Sequence, residues 1–314
     1  DDPLQAGTDL VTASYGRVAR FSAHRKRSTT GAVVDRALLS LGRAIERPDA
    51  GGAERPGWWI RAELPALNVD DWVALMHREG TPVADRQDQA FGISGADLEV
   101  GQLEALGVTF GDLKVALREA PSGWKLDLDG REITGTATWT APDAGAPNGR
   151  IVARLARLAI PRRGSLASWR GADGKDGFGE ATPDAALGNA WPEIDVTAES
   201  MVSKERDLGR LELAARPRGT DWQIDRLVLV NDDGRIEAEG AWRAAGRVQQ
   251  TKLDIAVDAK EAGGFLARFG YVDALQGAPT RIDGQLAWSG APHEFDFPTL
   301  AGTFRISVGP GRFT

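Results

Sequence analysis

The architecture of this chain is most evident in residues 209–242, GRLELAARPRGTDWQIDRLVLVNDDGRIEAEGAW. At the start of this stretch Leu211, Leu213 and Ala215 are apolar and alternate with charged residues. A period of two residues is typical of a β-strand that has one face on the core and the other in water. We therefore predict a half-buried strand here, and clean alternation of this kind favours antiparallel pairing.

The rest of the stretch predicts two more strands. The alternation restarts at Trp222 and Ile224 and continues at Leu227, one step out of phase, which predicts a β-bulge or a sheet corner between them. Residues 231–234, Asn-Asp-Asp-Gly, have the composition of a hairpin turn. A last alternating run starts at Ile236. The stretch is therefore predicted to be a meander of short amphipathic strands.

Looser copies of this unit recur along the chain. Residues 111–139 repeat it, and a glycine shortly before a tryptophan closes three segments, at Gly135 and Trp139, Gly240 and Trp242, and Gly284 and Trp288. The chain also contains 38 glycines, which indicates many tight turns. Repetition and turn density together predict a sheet of many short strands.

Two segments have the i, i+3, i+4, i+7 spacing of an amphipathic helix instead. The helix predicted near 69–79 has an apolar face made of Val69, Trp72, Val73 and Met76. The helix predicted near 259–269 has Asp258 as its expected N-cap and an apolar face made of Ala262, Phe265, Leu266 and Phe269. We expect both helices to protect an edge of the sheet.

Residues 161–192 interrupt the strand pattern. They have no period and are rich in Gly, Ala, Asp and Pro, which predicts a linker or a long loop. The predicted organisation is therefore a β segment at 1–160, the linker, and a second β segment at 193–314. The sequence leaves open whether the sheet continues across the linker.

Composition excludes several classes of protein. The chain is 42% apolar and 26% charged, which is typical of a folded globular protein. Its net charge of −7 excludes the general positive field of a nucleic-acid-binding protein. It has no cysteine, so disulfides, thiol catalysis and cysteine-ligated metals are excluded. It begins Asp1-Asp2-Pro3 without a membrane-spanning apolar run, so we expect a piece of a larger protein whose anchor lies elsewhere.

No catalytic constellation is evident in the sequence. His24, His77 and His293 lie in separate segments, and neither metal-binding histidine spacings nor a Gly-x-Ser-x-Gly elbow occurs. No glycine-rich phosphate loop is present either. Pairs of aspartates occur where a helix start and a hairpin turn are predicted, which are structural positions for aspartate. We therefore expect no catalytic residue, metal or cofactor, and no enzymatic activity.

Three stretches carry a resemblance to a known family: WWIRAELPALNVDDWVALM (58–76), DLGRLELAARPRGTDWQIDRLVLVNDDGRIEAEGAWR (207–243) and FLARFGYVDALQGAPTRIDGQLAWSG (265–290). Together they resemble the YhdP family of AsmA-like proteins of Gram-negative bacteria, over nearly the whole chain. This resemblance implies an internal or C-terminal-side section of a very long periplasmic protein, anchored to the inner membrane. It also implies a repeating β-groove that passes phospholipids towards the outer membrane, with possible envelope proteins as partners at its ends.

The expected fold is mainly β: a long curved antiparallel sheet that forms a U-shaped hydrophobic groove (a β-taco), with two short amphipathic helices. A sheet with one apolar face must bury it against a second sheet, helices or a ligand. Two short helices are too few to cover it, so the sheet either closes on itself as a sandwich or keeps its lining available to a ligand. The resemblance implies phospholipid acyl chains as that ligand. The candidate groove residues are Leu113, Val115, Leu117, Leu126, Ile133, Trp139, Leu211, Leu213, Ile224, Ile236, Trp242, Leu253, Ile255, Val257, Ile282, Leu286, Trp288, Phe304 and Ile306.

Two alternatives stay open at this point. The first is a closed β-sandwich that scaffolds the envelope or binds a partner without conducting lipid, because apolar residues at sheet spacing also make an ordinary core. The second is a β-rich enzyme that acts on glycans, which requires two facing carboxylates about 5 to 10 Å apart. The acidic residues fall mainly on the wet strand faces and in turns, which disfavours the enzyme.

Overall fold

The structure is a computed structural model, and it describes residues 8–28, 31–46, 55–69, 92–105, 108–160, 191–203, 205–219, 221–243, 249–270, 278–292 and 297–310. The chain forms two compact units, Asp1–Arg131 and Glu132–Thr314. Most of the described residues lie in strands, so the mainly β prediction is confirmed.

The strands follow one another in space in the order of the sequence within each unit. The first unit contains β1 (Thr8–Tyr15), β2 (Ala19–Ser28), β3 (Gly31–Gly42), β4 (Gly57–Asn68), β5 (Ile93–Ala105), β6 (Val108–Ala120) and β7 (Gly123–Asp129). The second contains β8 (Ile133–Thr140), β9 (Arg150–Ile160), β10 (Glu193–Ser203), β11 (Arg206–Arg218), β12 (Asp221–Asn231), β13 (Gly234–Arg243), β14 (Gln250–Ala259), β15 (Thr280–Ser289) and β16 (Ala301–Val308).

The sheets are mixed, so the prediction of a wholly antiparallel sheet is wrong. Three pairs are parallel: β3 with β4, β4 with β5, and β9 with β10. Parallel neighbours require a long crossover, whereas antiparallel neighbours need only a tight turn. The long connections that join the two strands of each pair are residues 43–56, 69–92 and 161–192. The strand pattern alone predicts hairpins everywhere because it contains no information about these returns.

The predicted meander at residues 209–242 is confirmed. It forms β11, β12 and β13, and the pairing shifts between Ile224 and Leu227, where the bulge was predicted. The hairpin turn between β12 and β13 is also present. There the side-chain oxygen of Asn231 accepts hydrogen bonds from the backbone N–H groups of Asp233 (3.0 Å) and Gly234 (3.1 Å).

The sheet continues from β9 to β10, the strands that flank the predicted linker. Their ladder runs from Arg150 paired with Glu193 to Ile160 paired with Ser203. After residues 161–192 the chain therefore continues in β10, directly beside β9. Residues 161–190 lie outside the described part of the chain, and the division at 1–160 and 193–314 stays a prediction.

One α-helix, α1 (Ala262–Arg268), lies in the described residues, with short 3-10 turns at Arg43–Glu46 and Phe297–Thr299. The expected pair of helices is therefore not supported: the helix predicted near 69–79 falls mostly on residues 70–91, outside the described part. The second predicted helix is present but shorter. Glu261, rather than Asp258, is its N-cap, because Asp258 still pairs with Arg235 in the ladder between β13 and β14.

Candidate functional site

The second unit has one continuous apolar face. Three rows of cross-strand partners run from β8 to β16, and no position in them carries a polar side chain. The tryptophan-side row contains Trp139, Ile151, Ile194, Ala215, Ile224, Gly240, Leu253, Leu286 and Gly302. The middle row contains Ala137, Ala153, Val196, Leu213, Leu227, Ala238, Ile255, Gly284 and Phe304. The helix-side row contains Gly135, Leu155, Ala198, Leu211, Leu229, Ile236, Val257, Ile282 and Ile306.

Burial differs between these rows. In the tryptophan-side row Ile224 is 1% exposed, and in the helix-side row Leu211 is 6% exposed. The larger side chains of the middle row on β10 to β14 are all only half-buried: Val196, Leu213, Leu227 and Ile255. On β10 to β14 most members of the two outer rows are therefore buried, whereas the larger side chains of the middle row are less completely covered.

Tryptophans pack along one margin of this face, at one end of the strands. The tryptophan cluster consists of Trp191, Trp222, Trp242 and Trp288, which pack with the tryptophan-side row. The ring of Trp191 makes edge-to-face contacts with those of Trp222 (5.4 Å between centroids) and Trp242 (4.9 Å). Trp191 lies just before β10 and Trp242 lies on β13, with β11 and β12 between them, so the contact between these rings reaches across the margin of the face.

Helix α1 covers the opposite margin. Phe265 packs against Val257 and Ala259, with Ile236 and Phe269 beside them. The helix is fixed to the rim of the sheet by an ion pair between the Arg268 guanidinium and the Asp233 carboxylate. The hydrogen bond to this carboxylate raises the pKa of Arg268 above its usual range, so Arg268 stays charged.

The reverse face of this sheet is charged. Arg226 on β12 pairs with Glu212 on β11 (2.8 Å), and Arg154 on β9 pairs with Asp195 on β10 (2.9 Å). The hydrogen bond from Arg226 lowers the pKa of Glu212 below its usual value of 4.5. Exposed pairs of this kind stabilise little. Charged side chains on this face help to fix the pairing register of the strands, because a slip of one residue would put charges on the apolar face.

The first unit has an apolar face of its own, built in the same way. Two rows of partners cross β2 to β7, and Leu113 on β6 pairs with Val100 on β5 beside them. One row contains Phe21, Leu39, Ile60, Ala96, Leu117 and Leu126, and the other contains Ala19, Leu41, Ala62, Leu98, Val115 and Leu128. Both units are thus sheets with one dry side and one charged side.

Comparison with known proteins identifies the family. The YhdP family, described as YhdP protein, matches residues 2–314. This chain belongs to the YhdP family. One curated member, the intermembrane phospholipid transporter YhdP of Escherichia coli (strain K12), is 21% identical over 283 residues, which are 88% of this chain and 21% of the relative. The chain thus spans about a fifth of that relative's length. No solved structure shows a significant match.

No helix in the described ranges is long and apolar enough to cross a bilayer. Among the same residues, no group of three or more His, Asp or Glu side chains is arranged to hold a metal ion.

The candidate groove residues fall on the two apolar faces. Leu113, Val115, Leu117 and Leu126 lie on the first unit, and most of the others are members of the three rows on the second. Ile133 lies next to them, paired with Leu158. Trp242 and Trp288 belong to the tryptophan cluster. Phe304 (47% exposed) and Ile306 (60%) lie on β16, the last strand of the second sheet, and are less covered than the rest.

Sequence reasoning missed several members of these faces in this YhdP-family chain. On the second unit they include Ile151, Leu155, Ile194, Val196, Trp222, Leu227 and Leu229. Most could have been found, because RIVARLARLAI (150–160) and EIDVTAESMV (193–202) alternate over their first residues. Leu227 and Leu229 follow the bulge, so their face can be assigned only when the bulge is counted.

Proposed function

We propose that this chain is a section of a lipid-transfer protein that carries phospholipids along an apolar β-groove between the inner and outer membranes. The observation that carries the proposal is the half-buried middle row on a face that otherwise excludes polar groups. A relative from the same family supports it, because that relative is described as an intermembrane phospholipid transporter. The proposal includes a periplasmic location, an inner-membrane anchor elsewhere in the protein, and envelope partners at its ends.

The dimensions of the second unit suit an acyl chain. Its nine strands span roughly 38 Å from β8 to β16 at about 4.8 Å per strand. Lipid tails that follow the middle row would meet Leu213, Leu227 and Ile255 in turn, which lie on successive or near-successive strands. Each methylene removed from water contributes about 0.8 kcal/mol, so a chain of many methylenes binds favourably even to a half-covered surface.

The two covered margins support this use of the centre. The tryptophan cluster and helix α1 lie at opposite ends of the strands, and each packs against members of one outer row. Neither fully encloses the middle row, in which Ile255 is only partly buried. A lipid lying across the strands would therefore complete the cover. Such a surface lowers the barrier to transfer without an energy-coupling residue, so the transfer along it is passive.

Photo-crosslinking in living cells tests the proposal. A benzophenone amino acid is placed in the full-length protein at Leu213, Ile255 or Leu286, and adducts are identified by mass spectrometry. The matched controls are Glu212 and Asp254, each next to a test position on the reverse face of the same strand. We expect phospholipid adducts at the three test positions and not at the controls. Protein adducts alone at the test positions would instead support a partner-binding scaffold.

A further inference from the structure

The tryptophan cluster contains a buried hydrogen-bond donor without an acceptor. The indole N–H of Trp222 donates to the carbonyl oxygen of Pro192 (3.2 Å), and that of Trp288 donates to Ala291 (3.1 Å). Trp242 is 4% exposed, and its indole nitrogen is fully buried with no hydrogen-bond partner. Leaving such a donor unpaired costs about 1–3 kcal/mol, so this position is an exception among its neighbours.

Ring contacts do not replace the missing acceptor. Trp242 lies edge-to-face with Trp191 (81° between planes) and Trp222 (89°). The face of an aromatic ring accepts a hydrogen bond from N–H only weakly. A polar partner for this donor must therefore come from outside the described protein groups.

The position of Trp242 indicates the chemistry of that partner. Trp242 pairs with Trp222 on one side and with Thr251 on the other, one step beyond the tryptophan-side row. The donor thus lies where the apolar face ends and the polar ends of the strands begin. An amphipathic ligand whose tails lie on the face would present its first polar atoms here. Indoles favour such boundaries because one side of the ring is apolar and the N–H requires an acceptor.

We infer that the indole N–H of Trp242 donates a hydrogen bond to an ester carbonyl of a bound diacyl glycerophospholipid. This inference rests on the proposed function and adds the site at which the ester region is recognised. Ester carbonyls are the first acceptors above the acyl chains, and they carry no charge, so they can enter a cluster of indole rings at low desolvation cost.

Trp191 controls access to the donor. It precedes Glu193, the first residue of the β10 ladder, so its ring can move without breaking a pair between strands. Its backbone carbonyl is held by the side-chain amide of Asn148 (3.0 Å), which keeps the segment in place while the ring turns. Entry of the ester then exchanges a ring contact for a hydrogen bond to a carbonyl.

A matched pair of lipids tests the inference on the unmodified chain. Dioctanoyl phosphatidylglycerol has two ester carbonyls, and its dioctyl ether analogue has none but presents the same headgroup and similar tails. We expect the ester to bind about tenfold more tightly than the ether, as one additional hydrogen bond requires. We also expect the ¹⁵N-indole resonance of Trp242 to shift with the ester only, and the Trp242→Phe variant identifies that resonance.

The variants separate recognition from folding. Trp242→Phe removes the donor and keeps an aromatic ring, so the preference for the ester should disappear. The indole N–H of Trp288 already has an acceptor within the protein, so Trp288→Phe should keep the preference for the ester. Equal binding of both lipids to the unmodified chain, or an ester preference that survives in Trp242→Phe, overturns this inference alone. Failure of the folded chain to bind either lipid overturns the proposed function as well.

Discussion

Truncating Ile224 and Ile255 to alanine should have different consequences, although both are isoleucines on the same apolar face. Ile224 is 1% exposed, so Ile224→Ala leaves an enclosed cavity and should cost about 2–5 kcal/mol of unfolding free energy. Ile255 is only partly buried, and its cross-strand partners on this face are Ala238 and Gly284, which are small. Ile255→Ala therefore removes less buried surface and should cost roughly 1–2 kcal/mol.

Urea unfolding of both variants, followed by circular dichroism, measures these costs in the chain without added lipid. Lipid binding should have the opposite order, with Ile255→Ala weakening it more than Ile224→Ala. The reasoning is refuted if the two substitutions cost the same free energy. In that case Ile255 is packed as tightly as Ile224, and the middle row has no surface left for a ligand.

Three further predictions concern the fold. Gly240→Ala should destabilise the fold by about 1–3 kcal/mol or prevent folding, because an added Cβ would lie 2.1 Å from a carbonyl oxygen of β14. Gly92→Ala is the control: its added Cβ would meet open space, so the unfolding free energy should change by no more than about 0.5 kcal/mol. Phe265→Ala should cost about 3–5 kcal/mol locally and raise hydrogen exchange in α1 before the rest of the sheet. The lowered pKa of Glu212 means that its pairing stabilises above about pH 4.5 and is lost as the pH falls through the folded value. As the pH falls below about 4.5, Glu212→Gln should therefore lose less stability than the unmodified chain, as thermal unfolding at a series of pH values would show.

Local patterns predicted the strands well, for a physical reason. The meander of β11 to β13, the bulge after Ile224 and the Asn231 turn all depend on residues a few positions apart. Alternation, turn chemistry and a change of phase are visible at that range. The candidate groove residues lie on strands and belong mostly to the two apolar faces, and their role as a groove stays a prediction.

Features that depend on distant residues were not predictable in the same way. The parallel pairing of β9 with β10 depends on where the chain returns after residues 161–192, and alternation does not encode that return. The start of α1 was misplaced because Asp258 is a good N-cap by type but is held in a ladder by β13. Ile255 is only partly buried because its cross-strand neighbours are small, and those neighbours can be identified only from the pairing register.

The amount of phospholipid bound to the purified chain tests the central claim most directly. The chain is incubated with phosphatidylglycerol vesicles, separated from them, and weighed intact by native mass spectrometry. We predict bound phospholipid on the unmodified chain and on the reverse-face control Asp254→Asn, and its loss from a folded Ile255→Asp variant. A folded chain that carries no lipid, or an Ile255→Asp variant that carries as much as the unmodified chain, would contradict the account.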